Sequence, residues 1–311
     1  MINQTEFKKF GLTDLFMMMA LLLWAVNFSL VKIALVEFTP LTFNGIRLVF
    51  ASACLMIFLF LSGERFAIQR NQILPFIGLG LVGNTIYQMM FIFGIDRTTA
   101  SNSAIIIASA PILIAILSLW MKHESLHYAA WIGIVISFAG LYFVVTSRHG
   151  AVQFSGQSFI GDILIFCGNV SWAFYTVFSK PYLNRISPLK LTAWTMSLGT
   201  LFYFPFCLPD LLSTSYSQIS LQAWAILLYS GFFSLGVCYV IWYSSVKRVG
   251  NSRTSVYDNI LPIFTVIFAF FLLGERLSLF QAVGALIIFL GVYLTRSGYK
   301  WFIRNDREIS K

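Results

Sequence analysis

The chain has 311 residues, of which 58% are hydrophobic and only 11% are charged, and its formal net charge is +9. Soluble domains carry about 25% charged residues, so this chain could not cover a water-facing surface. Its apolar content also excludes a disordered chain, and the composition therefore predicts an integral membrane protein.

Ten apolar runs follow one another along the chain, separated by short polar segments. A helix of about 20 apolar residues crosses the hydrocarbon core of a bilayer, and each run is close to that length. The predicted spans are 14–36, 41–62, 73–94, 103–121, 128–146, 159–179, 190–209, 222–245, 254–273 and 280–297. The sequence thus predicts an all-α integral membrane protein with ten transmembrane helices and short loops.

The basic residues are distributed unevenly over the loops that ten spans would create. With a cytoplasmic N-terminus, 16 of the 21 lysines and arginines fall on the cytoplasmic side and three outside. The remaining two, Lys32 and Arg47, lie within spans. Since cytoplasmic loops are enriched in basic residues, this predicts a multi-pass protein of the plasma (bacterial inner) membrane. Both termini would be cytoplasmic, with a basic tail at 298–311 beside anionic lipids, and no nucleic acid is expected as a partner.

The two halves of the chain match each other at two constant separations. Pairs 148 residues apart include Trp24 and Trp172, Lys32 and Lys180, and Pro40 and Pro188; pairs 151 residues apart include Arg97 and Arg248, Pro111 and Pro262, and Gly140 and Gly291. Each half carries five spans, and because five is odd the second half would enter the membrane from the opposite side. The sequence predicts two inverted repeats, 14–146 and 159–297, around a central cavity, as in secondary transporters that work by alternating access.

Short motifs recur at matching places in the two halves. They are Ala100-Ser101, Pro111 and Glu124 in the first half and Asn251-Ser252, Pro262 and Gly274-Glu275-Arg276 in the second, together with Trp24-Ala25 and Arg47. In these marks each half resembles an EamA domain of the drug/metabolite transporter superfamily. The first half departs at Lys122-His123-Glu124, where the family has glycine before the glutamate.

The resemblance implies a ten-helix permease for small organic metabolites, often an exporter of amino acids or related compounds. An uptake permease and a drug or cation efflux protein of the same fold are alternatives. An intramembrane enzyme fits less well, because no pair of deep acids and no nucleophile beside a base is visible. A non-transporting receptor fits less well because of the deep polar residues and the paired prolines. No cofactor or metal ion is expected, since the three histidines and four cysteines show no ligand spacing.

Two charged residues inside spans are candidates for function. Asp258 is the only acidic residue well inside a predicted span, and such charges usually face a cavity or a partner. It could bind an amine or couple transport to protons; alternatively, it is favoured at a helix start and pairs with Lys247, Arg248 or Arg253. Arg47 could anchor an anionic substrate group, extend to the membrane surface, or join helices near Glu37. From the helical rise we expect Arg47 and Asp258 about 15 Å apart across the membrane, too far for one small amino acid to bridge.

Polar and aromatic residues at matching positions are the candidates for binding a substrate. A cavity lined by aromatic rings and a few amides suits a small organic solute. The candidates are Trp24, Asn27, Asn84, Tyr87, Gln88, Trp172, Tyr175, Tyr239, Trp242, Asp258 and Asn259. Pro111 and Pro262 each remove a helical hydrogen bond, and they are candidate helix breaks for gating beside the pathway.

Small residues are spaced for close packing on the fifth and tenth spans. Gly133, Ser137 and Gly140 share one face of the fifth span, and Gly284 and Gly291 share a face of the tenth. Small residues allow two helices to approach closely. This pattern predicts a contact between the two halves or between two copies, so monomer and homodimer both remain open.

Overall fold

The computed structural model describes residues 11–121, 128–146 and 156–309. Lys122-His123-Glu124 lies outside the described residues, as do the side chains of Ser252 and of residues 295–311. All regular elements in the described part of the chain are helical. In chain order they are α1 Leu12–Ala34, α2 Pro40–Leu61, α3 Arg70–Arg97, α4 Ala100–Trp120, α5 Tyr128–Thr146, α6 Gln157–Leu183, α7 Pro188–Ser213, α8 Leu221–Val249, α9 Leu261–Leu273 and α10 Leu279–Ile309.

Seven helices in the described part of the chain are long and apolar enough to cross a membrane: α1 to α4 and α6 to α8. Three shorter apolar stretches lie at the other three helices: Trp131–Val144 in α5, Tyr257–Leu273 across α9 and the segment before it, and Leu279–Leu294 in α10. The protein is therefore a multi-pass integral membrane protein, as the composition predicts, while the count of ten spans stays a prediction. The segment expected as a basic tail continues α10 as far as Ile309.

Several helices begin at a hydroxyl side chain that binds the first free backbone N–H groups. The side chains of Thr39, Thr99, Ser187 and Ser220 accept such hydrogen bonds at the starts of α2, α4, α7 and α8. This capping satisfies donors that a helix cannot satisfy within its own first turn.

Two glutamates reinforce helix starts across the molecule. Glu275 follows α9, and its carboxylate accepts hydrogen bonds from the backbone N–H groups of Ala100 and Ser101 at 2.9 and 3.0 Å. Glu37 follows α1 and accepts from the backbone N–H of Ser220 at 2.6 Å, which lowers the pKa of the Glu37 carboxyl. Both carboxylates lie at the N-terminal, positive end of a helix dipole, so they stabilise the starts of α4 and α8.

Four irregular segments interrupt the helices near the middle of the molecule. Helix α3 contains a π-helical segment at Leu81–Ile86, and α8 contains one at Ser230–Val237. Helix α4 is broken at 108–109, and a 3-10 segment, Ser255–Asn259, precedes α9. Adding 151 to 81–86 gives 232–237, so the two π-helical segments occupy matching positions in the two halves.

Some residues that match at the two constant separations contact each other. The rings of Trp24 and Trp172 lie 6.1 Å apart between centroids. Gln88 Nε2 donates to the Tyr239 hydroxyl at 2.9 Å, and these two residues are 151 positions apart. The two members of each of these pairs thus meet in the folded protein.

Helices α5 and α10 pack closely through the small residues identified in the sequence. A Cβ atom on Gly291 would lie 2.5 Å from the Gly133 carbonyl oxygen and would collide with Ser137 Oγ. The Ser137 hydroxyl also donates to the Ile288 carbonyl at 3.0 Å. This face therefore joins the last helix of each half within one chain, which is the first of the two contacts expected for it.

The close approach of α5 and α10 makes Gly291 intolerant of any side chain. We expect Gly291→Ala to destabilise the protein by about 1–3 kcal/mol, because backbone atoms of α5 must move. Thermal unfolding of the purified protein in detergent would measure this loss. Gly78→Ala in α3 is the control, because nothing lies within 4 Å of its Cβ position; equal stability of both variants would contradict the packing.

Candidate functional site

A central cavity lies between α1, α2, α3, α4, α6, α8 and the segment before α9. Its volume is about 50 Å³, enough for a few water molecules but not for a metabolite. Eight of the residues singled out in the sequence line it: Trp24, Asn27, Arg47, Tyr87, Gln88, Trp172, Tyr239 and Asp258. The structure therefore brings most of the candidate polar and aromatic residues to one site.

Aromatic rings form one wall of the cavity. Trp172 lies 5.1 Å from Tyr239 and 5.4 Å from Tyr87 between ring centroids. Trp24 contacts both Trp172 and Tyr239, and its indole Nε1 donates to the Ser234 carbonyl at 3.0 Å. Ser234 belongs to the π-helical segment of α8, so this irregular backbone helps to hold the Trp24 ring in place.

Arg47 supplies the positive charge of the cavity, and its side chain is only 1% exposed. Its guanidinium donates to Gln88 Oε1 at 2.5 Å, Asn44 Oδ1 at 2.6 Å and Ser230 Oγ at 2.9 Å. It also lies 5.9 Å from the centroid of the Phe91 ring. All three acceptors are uncharged oxygens, so the guanidinium keeps its full charge and can attract an anionic group at the cavity wall.

Two of the alternatives weighed for Arg47 do not match the structure. The side chain does not extend to the surface, since it is buried among α2, α3 and α8. It does not pair near Glu37 either, because the Glu37 carboxylate accepts hydrogen bonds from Ser220. Arg47 does join helices, but it does so at the cavity.

Asp258 supplies a carboxylate to the same cavity and is 3% exposed. It lies in the 3-10 segment before α9, whose Tyr257 hydroxyl donates to Asp14 at the start of α1. Asp258 and Arg47 therefore line one cavity, and their expected separation of about 15 Å stays a prediction.

Four of the candidate substrate-binding residues do not line the cavity. Trp242 forms a second aromatic layer, 5.5 Å from Trp172 and 5.8 Å from Trp24 between centroids. The Tyr175 hydroxyl shares a hydrogen bond with Thr195 Oγ1 at 2.6 Å. Asn84 is fully buried behind the cavity and Asn259 is partly buried, and neither side chain reaches the cavity wall.

Lys32 has a structural position at the end of α3. Its Nζ donates to the carbonyl oxygens of Thr98 at 2.5 Å and Ile95 at 2.8 Å. These carbonyls belong to the last turn of α3 and to the residue that ends it, where a positive charge is favoured by the helix dipole. Lys32 therefore caps a helix and does not line the cavity.

Pro111 and Pro262 lie just after the two helix breaks, and the residues Ile107 and Leu261 beside these breaks line the cavity. Pro111 leaves the Ile107 carbonyl without its helical donor. The Asn169 amide of α6 lies 3.4 Å from the Ile107 carbonyl oxygen and 3.0 Å from Ser109 Oγ. Asn169 was not singled out in the sequence, although an amide inside the sixth apolar run was a visible signal.

Asp162 is a second buried acid that the sequence analysis missed. It is 1% exposed, lies in α6, and accepts hydrogen bonds from the Thr98 hydroxyl and from Asn102 Nδ2 at 3.3 Å. Asp258 is therefore not the only acid well inside a helix of the bundle. The repeat could have indicated it, because Asp162 lies 148 residues after Asp14.

The fold and the cavity together define a class of protein: a multi-pass helical membrane protein with a polar and aromatic site among its helices. A model of the EamA-like transporter family matches residues 11–146 and again residues 159–297. The chain belongs to this family, within the drug/metabolite transporter superfamily, and the resemblance noted in the sequence is confirmed. It is a membrane transporter.

Several relatives cover nearly the whole chain. An "Uncharacterized transporter" of Archaeoglobus fulgidus is 31% identical over 91% of this chain and 96% of its own length. "Uncharacterized transporter YyaM" of Bacillus subtilis is also 31% identical, over 88% of this chain and 89% of its own length. One solved structure covers 91% of this chain and 96% of its own with a TM-score of 0.68 at 18% identity, which shows a shared fold.

The stabilisation that the Asn169 hydrogen bond gives to the α4 break should depend on Pro111, and this dependence can be measured. We expect Asn169→Ala to lower the free energy of unfolding by about 1–3 kcal/mol, because buried carbonyls lose their donor. In Pro111→Ala the restored backbone N–H can donate to Ile107, so the same Asn169→Ala change should cost less. Unfolding of the two single variants and the double variant forms a cycle, and additive losses would show that Asn169 does not act on the break.

Proposed function

We propose that the protein is a ten-span secondary permease made of two inverted five-helix repeats. The family model matches once in each half, which supports a repeat. Contacts between equivalent residues, such as Trp24 with Trp172 and Gln88 with Tyr239, support an axis through the cavity that relates the two halves. The bias of basic residues toward one side supports cytoplasmic termini.

We propose that its substrate is a small zwitterionic metabolite such as an amino acid or a related compound. The observation that carries this proposal is the buried Arg47 guanidinium, whose three hydrogen-bond acceptors are all uncharged. A substrate carboxylate would neutralise the charge of Arg47, and a substrate ammonium would bind Asp258 in the same cavity. The rings of Trp24, Trp172 and Tyr239 would pack against the apolar part of the substrate.

The small volume of the cavity supports alternating access as the mechanism. A volume of about 50 Å³ cannot hold an amino acid, so helices must move apart to admit one. The breaks beside Pro111 and Pro262 lie next to the cavity, where backbone bends can change without exposing unpaired groups to lipid. We propose that rocking of the two repeats opens the cavity to one side at a time.

We propose export as the direction, which rests on the family resemblance. Uptake by the same fold is the alternative, and flux measured in vesicles of both orientations distinguishes the two. Efflux of drugs or organic cations is a second alternative, since Asp258 and the aromatic wall could bind a cation without Arg47. The two variants below separate a zwitterion from a cation.

Replacement of Arg47 should remove the affinity for the carboxylate of the substrate. We expect Arg47→Gln to weaken amino acid binding by about 30-fold or more, since loss of one partner of a buried charge pair costs about 2–5 kcal/mol. Thermal-shift titration with a panel of amino acids, polyamines and aromatic cations, followed by proteoliposome flux, measures this. Binding of the decarboxylated amine should change little.

Arg97→Gln is the matched control, because Arg97 lies outside the cavity, is partly exposed and pairs with Asp96 at 3.9 Å. We expect it to bind and transport amino acids as the parent protein does. Undiminished amino acid flux in Arg47→Gln would reject Arg47 as the anion anchor. Flux of organic cations alone, unaffected by Arg47→Gln, would favour the efflux alternative.

Replacement of Asp258 should remove the preference for an amine. We expect Asp258→Asn to lose the discrimination between an amino acid and its deaminated analogue, because the carboxylate that binds the ammonium is gone. Competition between the two compounds in the flux assay measures this preference, with Asp96→Asn as the control on the surface. An unchanged preference would assign Asp258 a structural role, and unchanged pH dependence of flux would exclude it from proton coupling.

A further inference from the structure

One patch between α1, α3 and α4 of the first half is apolar and well packed. Phe28 and Val31 of α1, Ile92 of α3 and Ala100 of α4 belong to one buried hydrophobic cluster. Each of these side chains is 5% exposed or less. The four residues therefore make a dry contact between α1, α3 and α4, beside the Phe28 face of the central cavity.

The four equivalent positions of the second half are all polar. Adding 148 or 151 to these positions gives Thr176, Ser179, Tyr243 and Asn251. These residues are as deeply buried as their counterparts, at 1% exposure or less. The halves thus differ in the polarity of a whole patch while they share its place in the fold.

The polar patch lacks hydrogen-bond partners within the described part of the structure. The hydroxyl oxygens of Thr176, Ser179 and Tyr243 and both amide atoms of Asn251 make no hydrogen bond there. The Tyr243 hydroxyl nevertheless faces Thr176 and Ser179. Buried polar groups normally have partners, and among the described residues these hydroxyls have only one another within reach.

The surroundings of the patch indicate which further partner suits it. Lys180 Nζ lies 3.2 Å from the Cβ position of Gly250, the residue before Asn251, and its positive charge disfavours a metal ion. The Tyr243 ring lies 6.4 Å from the ring of Trp172, which lines the central cavity. Water, or an uncharged polar group of a passing solute, fits a patch of hydroxyls and one amide next to this cavity.

We propose that Thr176, Ser179, Tyr243 and Asn251 form a hydrated site between the central cavity and the cytoplasmic end, through which the solute passes. Phe28, Val31, Ile92 and Ala100 form the equivalent dry seal on the outer side. The assignment of sides rests on the proposed function. Opening of the inner end supplies water to four buried polar side chains, whereas opening of the outer end exposes apolar ones, so the empty protein favours the inward-open state.

The reactivity of cysteines at equivalent positions tests this proposal. Ser179→Cys and Val31→Cys place a thiol at matching sites, and the purified protein is treated with 2-hydroxyethyl methanethiolsulfonate, which is small and uncharged. Only a thiolate reacts, and a thiol in dry apolar surroundings stays protonated. We expect Ser179→Cys to react at least tenfold faster than Val31→Cys, with the modified peptide identified by mass spectrometry and buried Cys207 as the internal reference.

A second pair, Asn251→Cys and Ala100→Cys, repeats the comparison if either first variant fails to fold. Equal rates within the pair that folds, or faster reaction at the α1 or α4 position, would overturn the proposal. The measurement needs no substrate, so it is independent of transport. Rapid labelling of Ser179→Cys in a protein without flux would reject the proposed function and leave the hydrated site intact, while flux with slow labelling would do the reverse.

Discussion

Every backbone polar group inside a membrane needs a hydrogen-bond partner within the protein, and this requirement shapes the middle of the molecule. A regular helix meets it, whereas a break or a bulge leaves carbonyl oxygens without donors. Side chains from neighbouring helices supply the missing donors. Asn169 bonds to the break in α4, Trp24 to the π-helical segment of α8, and Lys32 to the end of α3.

Because these donors come from other helices, the irregular segments also hold the bundle together. Trp24 donates to the Ser234 carbonyl and is part of the aromatic wall. One residue therefore satisfies an irregular backbone carbonyl and also shapes the cavity. Gln88 follows the π-helical segment of α3, accepts from Arg47 and donates to Tyr239. The cavity wall and the irregular backbone around it therefore share side chains, and a change in either must alter the other.

The sequence predicted the membrane class, the helical fold and most of the cavity wall, because hydropathy and the repeat are linear patterns. Trp24, Trp172, Gln88 and Tyr239 were found because they lie at matching separations in the sequence, and each pair makes contact in the structure. That Arg47 and Asp258 line one cavity could not be predicted, since helical rise measures backbone height and ignores side-chain length and helix bends. Asn169 and Asp162 were missed because each acts on a neighbouring helix, and sequence spacing does not show which helices are neighbours.

The residues that break the match between the halves carry the most functional information. If the repeats were identical, the two open states would have equal free energy, and the cavity would have the same charge on both sides. Asp258 stands where the first half has Ile107, and Arg47 stands where the second half has Thr195. The two cavity charges thus come one from each half, so a zwitterion bound to both would link the halves and favour a closed state. A ligand shifts a conformational equilibrium only by its difference in affinity between states, and a solute that bridges Arg47 and Asp258 has that difference built into its two charges.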